Sequence, residues 1–210
     1  MGEALVGESR GDRLREHEII LEGRTAKGAR IRLRPMGEDD WDVLLKWNSD
    51  PEVLYFSEGD DVSSRSLEEI QGIYRGVSRD AFCFIIELEG KPVGECWLQR
   101  MNLARILGKY PGLDLRRIDL MIGEKGHWGQ GIGTETIRLL TEFGFMREGA
   151  EMILGLVGDY NARSQAAFRK VGYELAGAFR EKPGHKATYE LELAITRAQF
   201  CDARARCVWG

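Results

Sequence analysis

The chain has 210 residues, enough for one domain that buries a substantial core without disulfides. Its 30 Lys and Arg against 34 Asp and Glu give a net charge of -4, which disfavours a dedicated nucleic-acid-binding protein. No apolar run approaches the ~18 residues of a membrane span, and the charged start lacks the apolar core of a secretory signal. We therefore expect a cytoplasmic protein with no membrane or nucleic-acid partner.

Hydrophobic periodicity and turn residues divide the chain into predicted strands and helices. The predicted strands are two within 18–36, then 81–89, 93–101, 113–122, 152–157, 173–181 and 187–195. The predicted helices are 38–48, a segment capped by Ser66, 134–148 and 161–171, with a long connection at 102–112. This order indicates a mixed α/β (α+β) domain with one central sheet. We expect a flexible arm at 1–17, a single domain at 18–200 and a tail at 201–210.

The four cysteines and three histidines indicate no metal site. No CxxC pair is present and the histidines are scattered along the chain, so the spacing of a zinc site is missing. Cys83 and Cys96 lie within apolar, strand-like segments, which predicts buried, reduced thiols.

The most informative segment is the loop WGQGIGT, residues 128–134, between a predicted strand and a predicted helix. Glycine lets the backbone approach a ligand, and the start of a helix offers unpaired N–H groups and a positive dipole end. These features predict a site for a phosphate or pyrophosphate. The loop lacks the GK[ST] ending of a Walker A loop and fits the dinucleotide fingerprint poorly. A glycine-rich turn without a ligand is the alternative.

The order of motifs resembles the GNAT superfamily of N-acetyltransferases. A strand ending in IDLMI is followed by the GxGxG loop, a helix, a strand, NARS, a helix and VGY, and the resemblance covers residues 30–195. It implies the GNAT fold, a central mixed and mostly antiparallel twisted sheet flanked by helices, with acetyl-CoA as the cofactor. Its implied cofactor-binding residues are Met121, Ile122, Trp128, Gly129, Gln130, Gly131, Ile132, Gly133, Thr134, Asn161, Ser164 and Phe168. For Asn161, a plain helix N-cap is the alternative.

Two details resemble the aminoglycoside 6′-N-acetyltransferases of this superfamily. The motif RID at 117–119 precedes Gly129 at that branch's spacing, and residues 46–53 and 66–71 resemble its substrate-side helices. The segment 38–61 has nine acidic residues and one lysine, a charge of -8 that would attract a polycationic amine. The expected substrate-binding residues are Trp47, Asp50, Glu52, Tyr55, Glu58, Asp60, Asp61 and Asp119. A solvated acidic face is the alternative for the acids, and core packing for the tryptophan.

Acetyl transfer requires a group that takes a proton from the attacking amine. A carboxylate can do so directly or through a water, and we expect Asp119 in this role, with Glu95 on the preceding strand as the alternative. By resemblance, backbone N–H groups near Met121 or Ile122 would polarise the thioester carbonyl if the strand bulges. Many family members protonate the leaving thiolate with a tyrosine, where this chain has Phe168. Tyr173 or Tyr160 replaces it, or the thiolate leaves unprotonated.

Three functions follow from these observations. The first is acetylation of an aminoglycoside amine, at the 6′ position by resemblance. The second is acetylation of protein N-termini of the ribosomal-protein type, which Trp128 favours because that branch also departs from the usual Arg or Gln. The third is a non-catalytic acyl-CoA-binding protein, which the missing tyrosine favours. The sequence leaves monomer and homodimer open, although apolar residues of the last strand would allow a dimer.

Overall fold

One eight-stranded sheet organises the computed structural model, which describes residues 13–58 and 62–208, with side chains as far as Asp202. The strands are β1 (Leu21–Arg24), β2 (Arg30–Pro35), β3 (Ala81–Leu88), β4 (Lys91–Arg100), β5 (Leu115–Met121), β6 (Met152–Gly158), β7 (Glu174–Arg180) and β8 (Tyr189–Thr196). The helices are α1 (Trp41–Asn48), α2 (Pro51–Ser57), α3 (Leu67–Val77), α4 (Ala104–Lys109), α5 (Ile132–Met146), α6 (Ala162–Val171) and α7 (Arg197–Val208). In this part of the chain no helix is long and apolar enough to span a membrane.

The sheet is mixed but mostly antiparallel, as predicted. Its order is β1-β2-β3-β4-β5-β6-β8-β7, and every neighbouring pair is antiparallel except β5 and β6. Side chains alternate across a strand, so each face of the sheet has its own core. Ile118 packs with Phe143 of α5 and Phe168 of α6 on one face. Met121 packs with Trp47 of α1 and the helix α3 on the other.

The parallel pair β5 and β6 is short, and this opens the sheet. The two strands pair over three positions, from Leu115 opposite Met152 to Arg117 opposite Leu154. Beyond them β5 stays with β4 as far as Met121, while β6 stays with β8 as far as Gly158. The strands therefore diverge, and the facing edge of β5 presents backbone groups to a wedge-shaped cleft.

Three helices were not predicted from the sequence, namely α2, α4 and α7. Helix α2 begins at Pro51, and the Asp50 side chain accepts hydrogen bonds from the N–H groups of Glu52 (2.9 Å) and Val53 (3.4 Å). Asp followed by Pro is typical of a helix start. In this segment the dense negative charge is the more prominent pattern, and it favoured interpretation as a substrate-binding surface. Helix α4 occupies the expected long connection and has no side-chain cap, so it lacks the sequence feature that identifies a helix start.

Ordered structure is present on the outer side of both domain boundaries expected from the sequence. Leu14, in the expected flexible arm, is 5% exposed, and its N–H donates to Glu38 Oε1 at 2.8 Å. His17 Nε2 donates to the carbonyl of Cys83 at 2.9 Å. At the other end α7 runs continuously through position 201, where we placed the start of the tail. Residues 13–17 therefore pack onto the domain.

A glycine after β5 permits the tight packing of α1. A Cβ on Gly123 would lie 2.0 Å from Cγ of Trp47, whose side chain has no exposed surface. We expect Gly123→Ala to lower the free energy of unfolding by about 1–3 kcal/mol, because a buried ring has no space to move. The matched control is Gly72→Ala in α3, where nothing lies within 4 Å of the new Cβ. We expect it to raise stability by about 0.5–1 kcal/mol. Urea unfolding of both variants tests this packing, and equal midpoints would contradict it.

Candidate functional site

The glycine loop links the end of β5 to the start of α5. Gly129 and Gly131 have φ of 75° and 86°, a left-handed conformation that favours glycine. Gly131 is the N-cap of α5, and its carbonyl accepts the N–H of Glu135 at 3.0 Å. The first N–H groups of a helix have no partner within it, so this turn can bind an anion. The Trp128 indole donates to the carbonyl of Ile122 at 2.7 Å and fixes the loop against the strand end.

A first cavity of about 280 Å³ adjoins this loop and contains most of the predicted cofactor-binding residues. Those lining it are Met121, Ile122, Trp128, Gly129, Gly131, Ile132, Gly133, Thr134, Asn161 and Ser164. Gln130 lies outside, where its side chain donates to the carbonyl of Gly126 at 2.9 Å. His127, Arg163 and Lys170 also line the cavity, and no described lining residue is acidic. Cations and apolar side chains together suit a phosphate-bearing ligand with an apolar portion.

A second cavity, of about 650 Å³, adjoins the first. The two share Phe56 and Ser57 from α2, Leu120 and Met121 from β5, and Asn161 and Ser164 at the start of α6. Asp119 and Glu95 line the second cavity. Phe168, predicted to contact the cofactor, also reaches this cavity, although it is a core residue that packs on Tyr173 and under Gly155. The shared wall is therefore where two bound molecules would meet.

Asp119 is an accessible carboxylate within this second cavity. Its side chain is 31% exposed, and Oδ2 lies 2.9 Å both from the Trp97 indole nitrogen and from Nε of Arg117. Both contacts engage the same oxygen, so Oδ1 is the oxygen available to a ligand. Burial raises the pKa of Asp119 above its ordinary value, although the charge of Arg117 and the hydrogen bond from Trp97 oppose the shift. The arrangement suits a carboxylate that accepts a proton.

Glu95 lies deeper than Asp119 and has a different environment. It is 4% exposed, and its Oε2 has no hydrogen-bond partner among the described residues. Burial, reinforced by the negative charges of Asp119 and Glu58, raises the pKa of Glu95 well above its ordinary value. The shift favours the protonated acid, which cannot act as a base. Asp119 is therefore the better placed of the two predicted bases.

Most of the acidic segment's charge is used within the protein. Five of its acids bind cations of the protein itself: Glu38 with Arg75 (2.9 Å), Asp40 with Arg34 (2.7 Å), Asp50 and Glu52 with Lys125 (2.8 and 3.0 Å), and, within the second cavity, Glu58 with Arg65 (2.9 Å). Glu38 illustrates the effect. Its burial would raise the pKa, but hydrogen bonds from Arg75, Leu14 and Trp41 lower the pKa of Glu38 to about 2. The segment therefore contributes to the stability of the fold.

Six of the eight predicted substrate-binding residues lie in the described part of the chain, and two of these six line the second cavity whereas the other four do not. Glu58 and Asp119 line the second cavity. Trp47 is a core residue. Asp50 and Glu52 bind Lys125 and do not line this cavity, and Asp50 also caps α2. Tyr55 is exposed and packs against Phe56 and Tyr160 at ring distances of 4.9 and 5.5 Å. Asp60 and Asp61 lie outside the described residues.

Sequence reasoning missed several residues of both cavities. In the first they include Arg163 and Lys170 on α6. In the second they include Glu181 and Glu190, from the β7–β8 hairpin, and Arg105 from α4. Arg163 lies within the NARS motif, between the predicted residues Asn161 and Ser164, so the motif itself could have identified it. No local sequence pattern identifies Glu181 and Glu190 as cavity residues, because only the folded chain brings the β7–β8 hairpin to the same cavity as β5.

Asn161 both caps a helix and joins α6 to α2. Its Oδ1 accepts the N–H of Ser164 at 3.1 Å, and its Nδ2 donates to the carbonyl of Phe56 at 2.9 Å. It also lies in the wall that both cavities share. Capping of α6 is therefore compatible with the predicted contact to a bound cofactor, which stays a prediction.

Comparison with known proteins identifies the family. The model of the acetyltransferase (GNAT) domain matches residues 30–174. The chain therefore belongs to the GNAT acetyltransferases, as the sequence motifs predicted. Among curated relatives, an uncharacterized N-acetyltransferase p20 from Bacillus licheniformis is 25% identical over 157 residues, which are 72% of this chain and 83% of that protein.

Solved structures share the fold at lower sequence identity. Aminoglycoside acetyltransferase AAC(6′)-Ib, crystallised with ribostamycin and coenzyme A, has a TM-score of 0.68 at 23% identity, over 83% of this chain and 97% of that one. RimJ of Mycobacterium smegmatis, crystallised with CoA-disulfide, has a TM-score of 0.68 at 18% identity, over 86% and 88%. The predicted cosubstrate, acetyl-CoA, is confirmed by the family. The cationic first cavity, beside a helix N-terminus, fits its phosphates.

The double role of Asn161 can be separated by two substitutions. We expect Asn161→Ala to lower the free energy of unfolding by about 1 kcal/mol, because the cap of α6 is lost. Asn161→Asp keeps a capping oxygen but sets a carboxylate against the Phe56 carbonyl. It should keep near-wild-type stability, while protease cleavage within α2 accelerates. Urea unfolding and limited proteolysis measure the two effects, and equal destabilisation by both substitutions would contradict this separation.

Proposed function

We propose that the protein transfers the acetyl group of acetyl-CoA to a primary amine of an aminoglycoside, with Asp119 as the general base. The observation that carries the proposal is the position of Asp119. It lines the second cavity directly before Leu120 and Met121, which line both cavities. The 6′-amine is the position that the family resemblance implies. Acetyl-CoA, when bound, supplies an acetyl group activated as a thioester.

The residues around Asp119 suit removal of a proton from an amine. An ammonium group has no lone pair and must lose a proton before it attacks a carbonyl. Trp97 and Arg117 hold Oδ2 of Asp119, which leaves Oδ1 to accept that proton directly or through a water. Beyond Arg117 the edge of β5 is unpaired with β6 but still paired with β4, so the N–H groups of alternate residues point toward the cleft, where they would polarise a carbonyl.

Of the two tyrosines considered for the leaving thiolate, one lies at the site. Tyr160 lines the second cavity, and its hydroxyl donates to the carbonyl of Glu58 at 3.0 Å. Burial, with the nearby groups Tyr55, Glu58 and Asp159, raises the pKa of Tyr160 to about 12. Tyr173 is buried in the core and shares a hydrogen bond of 2.7 Å with Thr141. Tyr160 is therefore our candidate for the proton donor.

The charges of the second cavity support a cationic acceptor. Besides Asp119 and the buried Glu95, its acidic residues are Glu58, Glu181 and Glu190, from two sides of the cleft. Amino groups of an aminoglycoside could exchange with the cations that now bind these carboxylates. This exchange makes binding dependent on ionic strength, because surface ion pairs are screened by salt.

A second candidate is acetylation of protein N-termini. Arg65, Arg105 and Arg117 line the same cavity, each beside a carboxylate. Alternating charges also suit an acceptor that carries both signs, such as a peptide.

A panel assay separates the two candidates. Purified protein is given acetyl-CoA with kanamycin, ribostamycin or peptides with free N-termini, and thiol release is followed. We expect turnover with the aminoglycosides that exceeds turnover with any peptide. Turnover with peptides alone would contradict the proposal and establish the second candidate.

Loss of the base should reduce turnover strongly. We expect Asp119→Asn to lower kcat for the acetylated amine by about 10²–10⁴-fold, the usual contribution of a general base. The matched control is Asp42→Asn, which removes an exposed carboxylate of α1 that lies outside the second cavity. It should leave kcat unchanged. A kcat for Asp119→Asn within threefold of wild type would exclude Asp119 as the base.

The hydrogen bond from Trp97 to Asp119 should affect the pH dependence of kcat/KM. A base must be deprotonated, so kcat/KM falls as pH drops through the pKa of Asp119. The Trp97 indole favours the carboxylate form of Asp119. Trp97→Phe should therefore raise that pKa and move the acidic limb of the pH profile of kcat/KM to higher pH. Trp41→Phe is the control, because it removes an indole donor that binds Glu38 instead. Identical acidic limbs in all three proteins would contradict the assignment.

A further inference from the structure

The guanidinium of Arg163 lies in the angle between two aromatic rings. Its Cζ is 4.2 Å from the ring centroid of Phe56 and 4.0 Å from that of Trp128. The rings themselves meet edge to face at 84°, with centroids 5.6 Å apart. This stack joins three separate elements, namely α2 through Phe56, the glycine loop through Trp128, and α6 through Arg163.

Arg163 differs from the arginines of the second cavity. Arg65 and Arg117 each bind a carboxylate of that cavity at 2.9 Å, and Arg105 binds Glu190 of that cavity together with the adjacent Glu192. Among the described residues, no hydrogen bond or ion pair engages the N–H groups of Arg163, and no acidic residue lines the first cavity with it. A guanidinium stacked on a ring face keeps its in-plane N–H groups for other partners. Arg163 therefore offers donors to an anion in the first cavity.

Phe56 connects this arginine to the second cavity. Phe56 and Ser57 line both cavities, and the following residue, Glu58, lines the second. The end of α2 also crosses the cleft, because the carbonyls of Phe56 and Glu58 accept hydrogen bonds from Asn161 and Tyr160. A change in the position of Phe56 would therefore move part of the wall against which an acceptor binds.

We propose that Arg163 couples the two cavities. It binds a phosphate of the cosubstrate and, through its stack on Phe56, fixes the end of α2 that forms the acceptor wall. This inference rests on the proposed use of acetyl-CoA in the first cavity. Cosubstrate binding then increases the affinity for the acceptor, and by linkage the acceptor increases cosubstrate affinity by the same factor. Arg163 is a binding residue for the cosubstrate and a positioning residue for the acceptor.

Binding of coenzyme A alone tests the first half of this inference. Calorimetric titration compares wild type with Arg163→Gln, Arg163→Lys and Arg169→Gln. We expect Arg163→Gln to bind about tenfold more weakly, because a charge-assisted hydrogen bond is lost, and Arg163→Lys to bind within about threefold of wild type. Arg169→Gln removes the same charge from an exposed position of α6 outside both cavities, and should bind like wild type.

Hydrogen exchange of α2 tests the coupling itself. Saturating coenzyme A should slow exchange over residues 51–58 in wild type and in Arg169→Gln. The slowing should be lost in Arg163→Gln and reduced in Arg163→Lys, which keeps the charge but not the planar stack. Neither measurement needs the acceptor, so their outcome is independent of which amine is acetylated.

Two results would overturn the inference. Binding of coenzyme A to Arg163→Gln at wild-type affinity would exclude the phosphate contact. Equal slowing of α2 in saturated Arg163→Gln and wild type would exclude the coupling. A wild-type protein that binds no coenzyme A would instead contradict the proposed function, together with the inference that rests on it.

Discussion

The early separation of β5 from β6 is the constraint on which both cavities depend. The strands share three paired positions, and each then follows its other neighbour, β4 or β8. A backbone edge that is opened in this way costs free energy unless water or a ligand bonds with it. The fold therefore maintains an unpaired edge beside the glycine loop and brings Asp119 to it. Helix α2 then crosses the cleft and divides it into a first and a second cavity that share a wall.

Charge distinguishes the two cavities more clearly than the sequence indicated. The first is lined by Arg163 and Lys170 and by no described acid, whereas the second has carboxylates that alternate with arginines. Four acids of the segment 38–61, namely Glu38, Asp40, Asp50 and Glu52, bind cations that lie outside the second cavity. The attraction that we propose for a cationic acceptor therefore depends on residues from the β7–β8 hairpin as much as on Glu58.

Local patterns predicted the fold, the glycine loop and most of the first cavity. These features are contiguous in the chain, since the loop and the NARS motif each contain their own residues. The second cavity was predicted less fully because it assembles α2, α4 and the β7–β8 hairpin around β5. Glu181, Glu190 and Arg105 meet only in the folded protein. Trp47 was wrongly predicted to bind substrate, because an aromatic residue near acids is typical of a sugar-binding site. Its packing under Gly123 shows that it belongs to the core.

A competition for acetyl-CoA tests the central claim most directly. Kanamycin and a set of peptides with free N-termini are mixed at equal concentration with the purified protein, and mass spectrometry with NMR identifies every acetylated product. We predict that the acetyl group appears on kanamycin, on the 6′-amine, with Asp119→Asn slowing its formation. Acetylated peptides with unmodified kanamycin would contradict the account, and would show that the alternating charges of the second cavity bind a polypeptide.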